Sequence, residues 1–144
     1  MILVDNALKA REEQGNPVRV AMVGAGFMGQ GLTNQIVNSV PGMRMVAVYN
    51  RHIKRAFHVY EYSGLKDIVA ATTQQQLDDA IRAGKPVVTE DPFLLARSEQ
   101  VDILVDVTGS VEFGAHLVLE AFKHGKDVVL MNAEIDATIG PILQ

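Results

Sequence analysis

Six residues constrain this chain more than any other feature: Gly24-Ala25-Gly26-Phe27-Met28-Gly29, a G-x-G-x-x-G run. Ahead of it lies Val18 to Val23, apolar apart from Arg19, and behind it Met28, Leu32 and Ile36 recur at helical spacing. The run therefore sits where a buried strand hands over to a helix. Gly24 permits a tight turn, Gly26 lets a pyrophosphate approach the backbone, and Gly29 lets helix and strand pack closely. Phe27 and Met28 open the helix, whose free N–H groups and positive dipole end point at the phosphates. A tight turn that binds nothing would carry the same glycines. The strand–turn–helix context favours dinucleotide binding.

The remaining pattern alternates short apolar runs with helical stretches, as a parallel sheet does. Asp5 is expected to cap a short helix over about 5–14, ended by Gly15-Asn16-Pro17. Met43 to Tyr49 is a second strand behind the Pro41-Gly42 stop, and 52–71 a helix with a short connection. Thr73 and Gln76 suggest a capping box for a helix that turns Leu77, Ala80 and Ile81 inward and closes at Gly84. Lys85 to Thr89 makes a third strand, 90–99 a loop or one irregular helix, and Val101 to Val107 a fourth strand. Ser110 is expected to cap a helix with Ala115, Val118 and Phe122 inward, ending at Lys123-His124-Gly125. Asp127 to Met131 is a fifth strand, followed by a loop. The expected fold is α/β: a Rossmann-type, doubly wound parallel sheet with helices on both faces, one domain over 1–144.

The end of the second strand bears on which dinucleotide is held. Domains that prefer NAD commonly place an Asp or Glu there, about 20 residues past the glycines, for the ribose hydroxyls. Here the strand ends in Asn50-Arg51, with Lys54 and Arg55 close by. Asn50 can hydrogen-bond a 2′-phosphate and Arg51 can pair with it, which predicts NADP(H), with NAD possible. Lys54 and Arg55 read as a solvated helix face. The missing acid also weakens an FAD-binding or methyltransferase reading. Thr108 and Gly109, past the fourth strand, are candidates to flank the nicotinamide ribose, and Asn132, past the fifth, to contact the nicotinamide side. Asp106 reads as a partly buried carboxylate satisfied by neighbouring backbone.

Composition closes off other classes. The chain has no cysteine, so disulfides, thiolate metal sites and cysteine nucleophiles are excluded. Its four histidines form no site, Glu90-Asp91 reads as a solvated acid pair, and no metal site can be argued. A net charge of −4 argues against a nucleic-acid binder. No apolar run is long enough for a membrane span, and the opening residues lack a signal-peptide pattern, which points to the cytoplasm.

With Asn50-Arg51, the segment VDVTGS and KDVVLMNAEIDATIGP added to the glycine turn, the chain resembles the N-terminal cofactor domain of homoserine-dehydrogenase-like oxidoreductases. The likeness is closer to the branch with a C-terminal SAF domain, which includes a reductoisomerase-like enzyme acting on deoxyxylulose phosphate. It runs from about Ile2 to Gln144. It implies NAD(P)-dependent hydride transfer with a small carbonyl or alcohol substrate, held by a second domain absent from this chain. Homoserine dehydrogenases proper read Asn-Lys after the fifth strand, the lysine aiding catalysis, whereas Ala133 follows Asn132 here. That puts homoserine itself in doubt as substrate and leaves the catalytic residues unassigned. Glu134 reads as a substrate-side acid or as a surface or capping acid. A fragment of this kind is expected to bind cofactor with little turnover, and to hide its fourth and fifth strands by self-association as a homo-oligomer. A stand-alone NADP(H)-sensing module is the alternative.

Overall fold

The computed structural model describes residues 2–143, with Asp136 described by its backbone alone. Seven helices and six strands follow in the order α1 (Ile2–Glu13), β1 (Val18–Val23), α2 (Phe27–Ser39), β2 (Met43–Tyr49), α3 (Ile53–Tyr62), β3 (Val69–Ala70), α4 (Gln74–Arg82), β4 (Val87–Thr89), α5 (Pro92–Arg97), β5 (Ile103–Asp106), α6 (Val111–Lys123), β6 (Asp127–Leu130) and α7 (Ala133–Leu143). All strand pairs are parallel, in the order β3-β4-β2-β1-β5-β6. The chain runs outward from β1 on one side and resumes with β5 on the other. The α/β, doubly wound architecture read from the sequence is the one observed. The order reverses between β1 and β5, the point beyond whose strand ends sheets of this kind bind ligands.

Burial of β1 on both faces explains its continuous apolar run. Val20 and Met22 pack towards α2 and α3, while Ala21 and Val23 pack towards α4, α5 and α6. Arg19 interrupts the run at its outer end, where its guanidinium pairs with Asp102 at 2.9 Å and also reaches Gln100. A bulge after Val20 shifts the β1–β2 register by one residue. Val46 and Ala47 consequently share one face of the sheet, and Met45 and Val48 the other.

Several expectations are corrected. The first helix starts before Asp5, which lies in its first turn rather than at its cap. The helix buries no residue and is tied at its far end to the Pro41-Gly42 turn. There Glu12 accepts from the Gly42 N–H at 3.0 Å, and the Leu8 carbonyl lies where a Gly42 side chain would be. The connection after α3 contains a short strand, β3, and the sheet has six strands rather than five. Within 90–99, Pro92–Arg97 forms one short helix, α5, capped by the Asp91 carboxylate at the Phe93 N–H. The expected loop after the last strand is a helix, α7, which carries Pro141 inside it.

Two helices are rotated from the predicted face for the same reason. Glycine contacts set their orientation: α2 turns Gly29, Thr33 and Ile36 inward and leaves Met28 exposed, with Leu32 only half-buried. Helix α6 turns Gly114, Leu117, Val118 and Ala121 inward, leaving Phe122 exposed. A Cβ on Gly29 would run into the Gly24 carbonyl, and one on Gly114 would meet the Ile135 side chain and Asp106 Oδ2. Strand β5 is buried, but β6 is an edge strand with alternate residues exposed, Val129 at 48%. Within the single chain β5 is covered on both faces and β6 is not.

Candidate functional site

The glycine turn leaves β1 at the reversal point. Gly24 adopts φ +117°, open to few residues but glycine, and donates its N–H to the Tyr49 carbonyl at 3.0 Å. Its missing Cβ would stand 2.9 Å from Val107 Cγ2. Gly24 and Gly29 are thus required by packing within the protein. Gly26 differs: a Cβ there would touch nothing, so its bare face opens outward. As N-cap of α2 it supplies no side-chain acceptor, and a helix leaves its first-turn amides unpaired. The Phe27 and Met28 amides lie in that first turn, and the Phe27 ring is 92% exposed. This shelf of free N–H groups at a positive dipole end fits a pyrophosphate.

The neighbouring exits of β2 and β4 offer side chains. Tyr49 pairs with Thr89 across β2 and β4, bringing Asn50-Arg51 beside Glu90-Asp91. Asn50 Oδ1 accepts from the Ala25 N–H at 3.3 Å, and Nδ2 donates to the His52 carbonyl at 3.0 Å. Asn50 therefore braces the glycine turn against the end of β2. Arg51 is exposed and forms no ion pair among the described residues. Lys54 and Arg55 are exposed on α3. The acid pair is not simply solvated: Asp91 caps α5, and Glu90 Oε1 accepts from the Ile53 N–H at 3.2 Å, capping α3 from a neighbouring strand. Tyr49 stacks on Phe113 with centroids 5.8 Å apart. Burial raises its hydroxyl above the usual tyrosine range; Arg51 opposes this, and Asp91 and Glu90 add to it.

The third part lies past β5 and β6. Asp106 is 1% exposed, and its Oδ1 accepts from both the N–H and the hydroxyl of Thr108, at 2.8 and 2.7 Å. Its Oδ2 has no hydrogen-bond partner. The expected backbone satisfaction of Asp106 thus covers one oxygen only. The clamp fixes Thr108 and leaves Gly109 exposed. Ser110 precedes α6 without capping it through its side chain, correcting that expectation. Asn132 is 1% exposed, with Nδ2 donating to the Ser110 carbonyl and Oδ1 accepting from the Ile135 N–H. Both its polar ends hold neighbouring loops.

The structure brings Gly24, Gly26, Phe27, Met28 and Gly29 together with Asn50 and Arg51 around one strand edge, with Thr108, Gly109 and Asn132 past the neighbouring strands β5 and β6. Glu90 and Phe113 are the additions that sequence reasoning missed. Neither carries a local signal, because each arrives through strand pairing or helix packing. A recess of about 870 Å³ opens at the opposite, N-terminal edge of the sheet, lined in part by Arg19, Arg44 and Arg82. Those three cations are paired with Asp102, Glu12 and Asp79, and Lys85 also lines the recess. Among the described residues no group of three His, Cys, Asp or Glu gathers to hold a metal. No described helix is long and apolar enough to cross a membrane.

Comparison with known proteins bears on the family and the fold. The model of the homoserine dehydrogenase NAD-binding domain matches residues 24–138. A homoserine dehydrogenase from Corynebacterium glutamicum is 45% identical over 51 residues, covering 35% of this chain and 12% of that protein. Among solved structures, a homoserine dehydrogenase from Thiobacillus denitrificans superposes with TM-score 0.65 at 24% identity, covering 88% of this chain and 26% of its own. A myo-inositol dehydrogenase from Lactobacillus casei, in complex with NAD(H) and myo-inositol, superposes with TM-score 0.58 at 22% identity, covering 79% and 28%. This chain thus spans only a minor part of each relative's length.

Proposed function

The chain belongs to the homoserine dehydrogenase NAD-binding domain family, and from that premise we propose that it is the NADP(H)-binding part of an oxidoreductase acting on a small carbonyl or alcohol substrate. The observation that carries the NADP(H) reading is Arg51, an exposed guanidinium without an ion-pair partner among the described residues, where the strand end lacks an acid. A nicotinamide cofactor supplies the hydride chemistry when bound, and the protein's task is to hold and orient it.

Each group then has a role. The α2 N-terminus and the open face of Gly26 receive the pyrophosphate. Arg51 pairs with the 2′-phosphate, and Asn50 keeps the glycine turn in register with the end of β2. Asp106, through Thr108, holds the loop at Gly109 open for the nicotinamide ribose. Asn132 acts from beneath, positioning the Ser110 backbone and the start of α7. Substrate and proton donor come from elsewhere in the full protein.

Calorimetric titration with NADPH and NADH tests the reading. A charge-assisted hydrogen bond contributes about 1.5–3 kcal/mol, so Arg51→Ala is expected to weaken NADPH by roughly 10- to 100-fold. NADH should change little. Equal losses for both nucleotides would remove Arg51 from the phosphate site, and absence of binding by either would sink the assignment.

A further inference from the structure

The β2 end lacks an acid, yet an acid stands beside it. Pairing of Tyr49 with Thr89, extended by the Asn50 N–H donating to the Thr89 carbonyl at 3.2 Å, sets the β4 exit against the β2 exit. Glu90 is the first residue past β4, and its bond to Ile53 spans 37 residues of chain. That bond holds one carboxylate oxygen against the start of α3, two residues past Arg51. Only Oε1 is used, and Oε2 has no protein partner among the described residues. Glu90 and Arg51 act on the same Tyr49 hydroxyl with opposite sign. A fixed carboxylate with a free oxygen can accept from a ribose 2′-hydroxyl, and it repels a 2′-phosphate.

We propose that Glu90 is a specificity-determining residue of the adenosine end, supplying from β4 the acid that β2 lacks and opposing Arg51, so that the site takes NAD(H) as well as NADP(H). This rests on the cofactor reading above. Arg51 raises affinity for the phosphorylated nucleotide, Glu90 raises it for the unphosphorylated one, and their balance sets the ratio. Removing either charge moves the ratio in opposite directions.

The test is calorimetric titration of the wild-type chain, Glu90→Gln, Glu90→Ala and Arg51→Ala with NADP+ and NAD+. Gln keeps the acceptor for the Ile53 N–H and removes only the charge, so the α3 cap survives. Glu90→Gln is expected to shift the affinity ratio about tenfold towards NADP+, and Arg51→Ala to shift it the other way. A residue that only caps α3 would leave the ratio unchanged in Gln and weaken both nucleotides alike in Ala. That pattern, or a ratio within about twofold of wild type in Gln, overturns the role of Glu90. It leaves the cofactor site intact if Arg51→Ala still loses NADP+. Failure of the wild-type chain to bind either nucleotide overturns both.

Discussion

The proposed phosphate end and the proposed adenosine end of this site are built on opposite principles. At the phosphate end the protein offers backbone: bare glycines, a helix N-terminus without a side-chain cap, and a turn held by the Gly24–Tyr49 bond. At the adenosine end it offers side chains from two strands, Asn50 and Arg51 after β2 and Glu90 after β4. Backbone recognition depends on shape and tolerates few substitutions. Side-chain recognition depends on charge, so a single exchange can retune it without disturbing the fold.

Substitutions within the glycine turn should separate packing from binding most sharply. Gly29→Ala forces a Cβ against the Gly24 carbonyl, which cannot move without displacing the turn. The expected cost is about 3 kcal/mol, read as a lower urea midpoint. Gly26→Val has open space and an ordinary backbone conformation, so stability should stay within about 0.5 kcal/mol while nucleotide affinity falls. If Gly26→Val destabilised as much as Gly29→Ala, the division of roles within the turn would be wrong.

A smaller effect is expected past β5. Asp106→Ala removes the acceptor for two hydrogen bonds of Thr108. It should cost about 2 kcal/mol in chemical denaturation. Asp106→Asn, which can keep an oxygen at the Oδ1 position and drops the charge from a carboxylate whose other oxygen is unpartnered, should cost clearly less. Equal losses in the two variants would mean that the charge, rather than the clamp, is what Thr108 requires.

How much of this was legible in the sequence follows from the same contrast. The glycine turn, β1 and β2 follow from local pattern, because each glycine, apolar run and stop signal acts within its own segment. The inward faces of α2 and α6 do not. Periodicity alone pointed to Met28 and Phe122, whereas the close contacts at Gly29 and Gly114 fix each rotation. Glu90 could be seen as an acid but not as a neighbour of Arg51, since the β2–β4 pairing that joins them is a long-range choice. Helix α7 was not legible, since it carries Pro141 inside it, a residue without the N–H that would reach the carbonyl four residues back.

The smallest expected effect lies away from the site and serves as a control. Burial pushes the Asp102 carboxyl up, but its bonds to the Arg19 side chain and N–H, with the guanidinium's charge, hold it below the usual carboxylate range. A depressed folded-state value means stability that is fully present above the unfolded value, about pH 3.9, and lost as pH falls through the lower folded value. Asp102→Asn should remove that part of the acid dependence and leave nucleotide affinity at neutral pH unchanged. A change in affinity would show that the two edges of the sheet are coupled.

The most direct test of the account is a two-dimensional amide NMR titration of the chain with NADPH and, separately, with NADH. The amides of Gly26, Phe27 and Met28 should shift with both nucleotides, and those of Arg51 and Ile53 should respond differently to the two. Shifts confined to the recess at the N-terminal strand edge, or none at Gly26 to Met28, would contradict the placement of the cofactor on the glycine turn.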